Sequence, residues 1–399
     1  MHGAVYGLYA RKDILYPDGV SGTVYPAGTL VAEGMIQDGS LSWEGLYLGS
    51  YYIKEIAAPT GYLLDEKEYD VTLSYQNESV EIITGQSTVS EQVKKRAFQL
   101  QKLDGENLGE QYELSGAGFT VYLLSDLGIE AAGKSDEALI QEVVDKYPDY
   151  KNGLEDGARA KLYENDGSEV ERYNALQAAA GGSGLTQIGE NRYQLNEIFT
   201  DASGRLVSPE LPYGTYVVVE TTVPKNTLID IKPFIVRIEE DSREALYQRY
   251  FLDKDFTAKI KIVKTDADTG KTVLKAGTSY RIYNLDKEEY VKLPVVVNNK
   301  EELKEIFTTD SEGYILTDAA LPCGRYRIEE VQAPDGFYNE AAGTGSTLGT
   351  VEFELNTDQT YETSDISGDA IIEFKYSNRE TRGELWIEKV GEQLTGVKN

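Results

Sequence analysis

Three lysines of this chain occupy positions where the surrounding pattern calls for apolar side chains. Successive residues of a β-strand point to opposite faces, so residues two apart share a face. Each lysine ends an alternating run and shares its apolar face, the three faces being Phe98, Leu100 and Lys102; Ile260, Ile262 and Lys264; and Leu385, Ile387 and Lys389. The pattern predicts three lysine amines that point into protein cores.

A glutamate recurs in the same manner in a second kind of strand. Each copy starts at Gly-x-Tyr, carries the glutamate six residues after the glycine and has a proline four residues later; the copies run from Gly49 to Glu55, Gly214 to Glu220 and Gly324 to Glu330. In the third copy Arg327 and Glu329 alternate with the face that carries Glu330, so they should face water. A buried carboxyl is costly unless it is paired, which means that each glutamate needs a partner.

A third position completes the pattern eleven residues before each lysine, where Glu91, Asp253 and Asn378 stand. The clearest of the strands that lead to it places Ile372, Phe374, Tyr376 and Asn378 on one face. We therefore expect two mixed clusters, Lys102 with Glu220 and Asp253, and Lys264 with Glu330 and Asn378.

An amine, a carboxyl and an amide or second carboxyl can condense in a dry site. Burial lowers the pKa of a lysine toward a neutral nucleophile and raises that of a carboxyl toward a proton donor. The glutamate would polarise the acceptor carbonyl and shuttle protons while the lysine attacks. The predicted product is an isopeptide bond, with loss of ammonia from Asn378 or water from Asp253. The alternative is that these are ordinary strand-end charges that reach solvent.

Composition narrows the classes of function. The net charge of -29 argues against nucleic acid as a partner, since phosphates need a basic patch. One cysteine, Cys323, excludes an internal disulfide framework, and one histidine argues against a histidine-based metal or Ser-His-Asp site. The acidic loop 265–270 lacks the spacing of an EF-hand, so we expect a solvated turn, no metal and no cofactor. No apolar run is long enough to span a membrane.

The recurring strands divide the chain into repeats of one module. We place the first repeat at residues 1–92, the second at 93–255 and the third at 256–381, with residues 382–399 as the first strand of a truncated fourth. The second repeat contains an insertion, 125–192, in which helical spacing after Ser135 predicts a helix around residues 139–147. Residues 178–184 read as a flexible loop and 301–306 as a helical turn.

The motifs resemble the Cna B-type, SpaA-type prealbumin-like domains of Gram-positive surface proteins. They are "GSYYIKEIAAPTGY", "GTYVVVETTVP", "GRYRIEEVQAPDGF", "LSGAGFTVYLL" and "IVKTDADTGK". The resemblance implies an all-β chain of tandem Ig-like sandwiches. It also implies that Lys102 and Lys264 are the cross-linking lysines, Glu220 and Glu330 the catalytic acids, and Asp253 and Asn378 the acceptors. The first repeat departs from the pattern, since it begins beyond its lysine strand and has Glu91 as acceptor. We expect no intramolecular bond there, and Glu55 and Lys389 belong to the pattern by analogy only.

These features favour a structural protein of the bacterial cell wall surface, a rod-like stalk or a segment of a pilus or adhesin, as part of a longer chain. Its expected partners are neighbouring domains of the parent protein. The alternative is an adhesin whose insertion 125–192 contacts host extracellular matrix or glycan, since function often lies on loops of a rigid scaffold. A hydrolase that pairs Glu329 with Glu330 is disfavoured because adjacent strand residues face opposite ways. The only chemistry expected is self-directed.

Overall fold

The chain is described by a computed structural model. It covers residues 3–104, 114–228, 231–297, 300–339, 349–364 and 367–391, with the backbone alone for residues 104, 247–250, 252–253 and 296–297. Strands dominate, and the α-helices lie in the insertion of the second repeat. The prediction of an all-β chain with a partly helical insertion is confirmed. Within the described residues, neither α-helix is long and apolar enough to cross a membrane.

The first repeat is built around one antiparallel sheet of order β4-β1-β5-β6. The strands up to residue 97 are β1 (Val5–Ala10), β2 (Ile14–Leu15), β3 (Thr23–Tyr25), β4 (Leu30–Met35), β5 (Gly49–Ala57), β6 (Glu68–Leu73) and β7 (Lys95–Arg96). Leu8, Ala10, Ile14 and Tyr51 form its small core. Residues 74–92, all of which the structure describes, contain no strand.

The second repeat is a sandwich of two sheets with a layer added by the insertion. Its elements are β8 (Phe98–Asp104), β9 (Gly118–Leu123), α1 (Asp136–Lys146), two short 3₁₀ turns (Tyr150–Asn152 and Asp156–Ala158), β10 (Lys161–Tyr163), α2 (Gly167–Ala179), β11 (Leu185–Gly189), β12 (Arg192–Leu195), β13 (Ile198–Phe199), β14 (Arg205–Val207), β15 (Leu211–Pro212), β16 (Gly214–Thr222), β17 (Thr227–Leu228), β18 (Phe234–Ile238) and β19 (Leu246–Asp255). Sheet β13-β9-β16-β18 faces sheet β14-β8-β19 across the core.

The insertion covers the outer face of the first of these sheets. Val217 and Val219 point away from the sandwich core and are fully buried against Leu139 and Val143 of α1. Strand β16 is therefore apolar on both faces, which explains its run of three valines. The predicted N-cap is confirmed, since the Ser135 side chain accepts a hydrogen bond from the backbone N–H of Ala138.

The third repeat is a more complete sandwich. Its strands are β20 (Thr257–Asp266), β21 (Ser279–Asn284), β22 (Glu289–Tyr290), β23 (Leu293–Val297), β24 (Lys300–Lys304), β25 (Phe307–Thr308), β26 (Tyr314–Leu316), β27 (Leu321–Pro322), β28 (Gly324–Gln332), β29 (Phe337–Tyr338), β30 (Thr350–Leu355), β31 (Glu362–Thr363) and β32 (Ala370–Glu380). One sheet has the order β22-β21-β28-β30 and the other β26-β20-β32-β29. Residues 382–391 form no strand.

Two local predictions were wrong. Ala178 and Ala179 are the last residues of α2 rather than part of a flexible loop, because alanine has a high helix propensity. Residues 301–304 belong to β24, which pairs with the valine-rich β23 as a hairpin, so tertiary pairing overrides the weak helical signal. By contacts the chain forms two compact units, one of Met1–Pro224 with Ile229–Asp253 and one of Lys225–Leu228 with Lys254–Asn399.

Candidate functional site

The third repeat brings its lysine, glutamate and asparagine together from two facing sheets. Glu330 lies on β28 of one sheet, while Lys264 on β20 and Asn378 on β32 belong to the other. Strands β20 and β32 run parallel with Lys264 opposite Tyr376, which places Asn378 one step further along the same face. A β-bulge next to Glu330 interrupts the pairing of β21 with β28 where the carboxyl enters the core.

The three side chains are in direct contact. Lys264 Nζ lies 3.1 Å from Glu330 Oε1 and donates a hydrogen bond to Asn378 Oδ1. Asn378 Nδ2 donates to Glu330 Oε2 at 2.9 Å and to the backbone carbonyl of Tyr338 at 3.1 Å. The glutamate thus contacts both the amine and the amide nitrogen, and the amine contacts the amide oxygen.

The cluster is dry, and this changes the state of its amine. The side chain of Lys264 is 0% exposed and that of Glu330 is 3% exposed. Desolvation lowers the pKa of Lys264, although the nearby Glu330 opposes the shift. A lowered pKa increases the share of neutral amine, which is the nucleophilic form.

A glycine turn holds the backbone of each buried lysine. The carbonyl of Gly313 accepts a hydrogen bond from the N–H of Lys264 at 2.9 Å, and that of Gly204 accepts from Lys102 at 2.8 Å. Both glycines have positive φ, and a Cβ on Gly313 would lie 2.1 Å from the carbonyl oxygen of Val273. Only glycine fits this close approach, so the turn fixes where the lysine strand runs.

In the second repeat the structure describes the side chains of the lysine and the glutamate, and these two are placed as in the third repeat. Lys102 Nζ lies 2.7 Å from Glu220 Oε1, and both side chains are 0% exposed. The side chain of Asp253 lies outside the described residues, but the backbone of β19 is described. It runs parallel to β8 with Lys102 opposite Phe251, so Asp253 occupies the register position that Asn378 has in the third repeat.

The first repeat contains the buried glutamate, Glu55, and the acceptor position, Glu91. Its described residues include no lysine strand. Glu55 is 2% exposed and accepts a hydrogen bond from the N–H of Asp65 at 2.6 Å. Glu91 accepts one from the hydroxyl of Tyr6 at 3.0 Å. Burial, and then the nearby carboxylates Glu91 and Asp65, raise the pKa of Glu55.

An aromatic residue that the sequence analysis missed faces each glutamate across its strand pair. Tyr6 pairs with Glu55, Phe119 with Glu220 and Tyr280 with Glu330. Burial raises the pKa of Tyr280 far above its usual value, and its hydroxyl has no hydrogen-bond partner among the described residues. The signal was present as an aromatic residue in β1, β9 and β21, but its contact with the glutamate depends on strand pairing.

Other candidate positions lie apart from these clusters. Lys389 is exposed, within the irregular segment after β32. Glu329 accepts a hydrogen bond from the hydroxyl of Tyr290 at 2.9 Å on the face opposite to Glu330. The side chain of Asp266 accepts hydrogen bonds from the N–H groups of Asp268 and Thr269, which makes the acidic loop a local turn. Among the described residues, no group of three potential metal ligands was found.

The family model of the SpaA prealbumin-like fold domain matches residues 2–88, 96–249 and 258–363. These stretches make up well over half of the chain, so the protein belongs to this family and the predicted resemblance is confirmed. No curated protein sequence matched the chain.

Comparison with solved structures found several similar chains. The chain is similar to the Bacillus anthracis TIE protein (19% identity, TM-score 0.41), with 95% of this chain and 48% of that chain covered. It therefore spans about half the length of that protein. It is also similar to BcpA, the major pilin subunit of Bacillus cereus (14% identity, TM-score 0.26, 96% and 95% covered). A third is GBS52, the minor pilin of Streptococcus agalactiae (15% identity, TM-score 0.25, 74% and 100% covered).

Proposed function

We propose that this chain is a structural segment of a Gram-positive cell-surface protein, a stalk or a pilus or adhesin segment, whose second and third repeats are closed by self-formed isopeptide bonds. The contact of Lys264, Glu330 and Asn378 in the core of the third repeat carries the proposal. Membership in the SpaA domain family supports the surface role.

The bond in the third repeat would form between Lys264 Nζ and Asn378 Cγ. The neutral amine attacks the carboxamide carbon, and Glu330, whose Oε1 lies 3.1 Å from Lys264 Nζ, takes up the proton that this nitrogen loses. Glu330 already accepts a hydrogen bond from Asn378 Nδ2, so it is placed to deliver a proton to that nitrogen, which leaves as ammonia. One C–N bond forms and one breaks, without oxidation or reduction. Nothing beyond the protein itself is required.

The second repeat would follow the same course from Lys102 to Asp253, with Glu220 as acid and water as the leaving group. The buried contact of Lys102 with Glu220 and the register of β19 support this assignment. Because the acceptor is a carboxylic acid, the mass lost differs between the two repeats, which allows them to be measured separately.

The bonds suit a protein that must resist force. Each would tie the strand that opens a repeat to the strand that closes it, over 114 residues in the third repeat. By analogy with a disulfide that closes a loop of this length, the gain in stability is about 4 to 5 kcal/mol. Load would then pass through a covalent bond rather than through the sheet hydrogen bonds. The chemistry is self-directed, so we do not propose an enzyme.

Intact mass spectrometry of the folded chain tests the proposal. The mass should fall below the sequence mass by one ammonia and one water. In Glu330→Gln the mass loss of one ammonia should disappear and that of one water should remain, because glutamine preserves the shape but cannot shuttle a proton.

Glu329→Gln is the matched control, since Glu329 is adjacent but faces away from the cluster. It should leave both bonds intact. A well-folded chain with the full sequence mass would refute the cross-links, and a third-repeat bond that persists in Glu330→Gln would refute the role of Glu330.

A cavity favours the adhesin alternative as a second candidate. It measures about 720 Å³ and lies between α2 of the insertion and the edge of the second repeat, with Arg172, Tyr173, Leu176 and Arg243 among its lining. An aromatic ring among charged side chains of both signs, with Glu164, Glu169, Asp201 and Glu210 also in the lining, suits the hydroxyl groups of a glycan. Binding to an array of host glycans should be lost in Tyr173→Ala and kept in Tyr163→Ala, which changes an exposed tyrosine outside the cavity lining. If the chain binds no glycan on the array, the adhesin alternative is refuted and only the structural role remains.

A further inference from the structure

The core of the third repeat contains a tyrosine hydroxyl that is buried and unpaired. Tyr280 lies on β21 opposite Glu330 of β28, and it is 0% exposed. Its ring meets the ring of Tyr376 edge-on, with the two centroids 5.2 Å apart. Among the described residues, the Tyr280 hydroxyl has no hydrogen-bond partner. A hydroxyl that leaves water without gaining a partner destabilises the folded state, so its presence calls for a reason.

The second repeat shows that packing does not require this hydroxyl. Phe119 on β9 is opposite Glu220 of β16, as Tyr280 is opposite Glu330, and a β-bulge lies beside the glutamate in both repeats. Phe119 is also 0% exposed. The same position therefore accepts a ring that carries no polar atom. Packing explains the ring of Tyr280 but leaves its oxygen unexplained.

A second unpaired hydroxyl on the same strand is less well placed. Thr278 Oγ1 is buried and has no hydrogen-bond partner among the described residues. It lies beyond the β-bulge, where Ser279 is opposite Gln332. Of the two hydroxyls, that of Tyr280 is therefore the one whose residue is directly opposite Glu330.

The oxygen of the acceptor amide depends on a donor that the reaction removes. Before the reaction, Asn378 Oδ1 accepts a hydrogen bond from Lys264 Nζ. The two oxygens of Glu330 contact nitrogen atoms instead, since Oε1 lies 3.1 Å from Lys264 Nζ and Oε2 accepts from Asn378 Nδ2 at 2.9 Å. Once Nζ is bonded to Cγ, it cannot donate to an oxygen on that same carbon. This oxygen then carries negative charge in a dry core, where a hydrogen-bond donor stabilises it strongly.

The Tyr280 hydroxyl is a donor that stays protonated. Burial, and then the nearby Glu330, raise its pKa far above the usual value for a tyrosine. The effect of Glu330 on this pKa also indicates that the hydroxyl and the carboxyl share one pocket. Asn378 Nδ2 contacts the same carboxyl. The hydroxyl is thus close to the reacting amide and free to form a new hydrogen bond.

We propose that Tyr280 donates the hydrogen bond that stabilises the oxyanion formed at Asn378 Oδ1 during cross-linking. The inference rests on the proposed function and assigns a further residue to its reaction. The lone pair of Lys264 Nζ forms the bond to Cγ while the π pair of the carbonyl moves onto Oδ1. Tyr280 donates a hydrogen bond to this oxygen and keeps its proton. The C=O bond then forms again, the Cγ–Nδ2 bond breaks, and ammonia leaves with the proton that Glu330 took from the amine.

Refolding kinetics of the full chain test the proposal. Chain that was purified in denaturant and has the full sequence mass is diluted into buffer, quenched at intervals and digested, and the cross-linked peptides are counted by mass spectrometry. In Tyr280→Phe the Lys264–Asn378 bond should form about 100-fold more slowly than in the wild type, because one donor to the oxyanion is lost. The Lys102–Asp253 bond of the second repeat should form at its wild-type rate in the same samples.

Tyr326→Phe is the matched control. Tyr326 is also buried in the core of the third repeat, but its hydroxyl already donates to the backbone carbonyl of Pro322 at 2.9 Å. The variant loses a hydrogen bond of the folded state and should still form the Lys264–Asn378 bond at the wild-type rate. Equal rates in Tyr280→Phe and the wild type, or equal slowing in the two tyrosine variants, would overturn the proposal.

A crystal structure of the cross-linked wild type gives a test that needs no variant. Tyr280 Oη should lie about 2.7 Å from the isopeptide oxygen, the former Asn378 Oδ1. A hydroxyl that points away from this oxygen would overturn the role of Tyr280. The two proposals fail separately: a wild type that never loses ammonia refutes the bond itself, whereas ammonia loss at an unchanged rate in Tyr280→Phe refutes the donor alone.

Discussion

The first and third repeats contain the same strand with the same buried glutamate and differ in what faces it. In the third repeat Glu330 contacts both Lys264 and Asn378, and a second sheet is formed around the lysine strand. In the first repeat Glu55 accepts a hydrogen bond from the backbone N–H of Asp65 and lies near Glu91, and burial raises its pKa. The glutamate is therefore placed by its own sheet, whether or not a lysine is present.

The comparison also shows what the lysine strand does for the fold. In the third repeat, β20 lies between β26 and β32 and pairs with both. The corresponding residues of the first repeat, 74–92, lie on the sheet without strand pairing. In the third repeat the lysine strand therefore joins the strands of one sheet and also carries the amine of the cluster.

Removal of the third-repeat lysine is the strongest way to test this contrast. Lys264→Ala deletes the proposed bond and leaves Glu330 and Asn378 buried without the amine. We expect a loss of about 5 kcal/mol in the unfolding free energy of the third repeat. Differential scanning calorimetry should show the corresponding transition move to lower temperature.

Lys261→Ala is the matched control, since Lys261 lies on the same strand but forms a partly exposed ion pair with Glu373 at 2.8 Å. Its loss should cost less than about 1 kcal/mol. Equal effects of the two variants would mean that the buried cluster adds nothing to stability.

The glycine turns give a smaller but sharper contrast. Gly313→Ala should destabilise the third repeat by about 2 kcal/mol more than Gly39→Ala destabilises the first. Both changes place a side chain at positive φ, which costs about 1 kcal/mol, but only at Gly313 does the Cβ also meet a backbone carbonyl. Urea unfolding of the two variants measures the difference. Similar losses would indicate that the turn of the first repeat is as crowded as that of the third.

The acid pair of the first repeat predicts an effect of pH. The folded-state pKa of Glu55 is raised above its ordinary value of 4.5, so the folded state retains a proton that the unfolded state releases. Stability should therefore fall as pH rises through the interval between the two values. Glu55→Gln carries no titrating proton and should remove this slope, so it should be more stable than the wild type at neutral pH and nearly equal to it in acid.

Urea unfolding at a series of pH values measures this difference between variant and wild type. The comparison isolates Glu55, because groups away from it, such as Asp18, whose pKa is lowered by hydrogen bonds from Ser21 and Val20, contribute equally to both proteins. A wild type that gains stability relative to Glu55→Gln as pH rises would contradict the prediction.

The periodicity of two was sufficient to predict the buried faces. Lys102, Lys264 and Glu55 are all buried where the alternation placed them, because a strand exposes its side chains to two faces and one of them must cover the core. The start of α1 could be predicted as well, since the Ser135 cap is a local signal. The signals that failed were short ones, in residues 178–184 and 301–306, where tertiary contacts decide.

Sequence alone determined which residue types share a face and that the faces repeat along the chain. The tertiary structure decided which faces meet. The parallel register of β20 and β32 puts Asn378 beside Lys264, and it is set by hydrogen bonds between segments more than 100 residues apart. Likewise, nothing local to Val217 or Val219 indicates that α1 will cover them. Alternation fixes the direction of a side chain relative to its own strand, whereas its partner depends on how separate sheets pack.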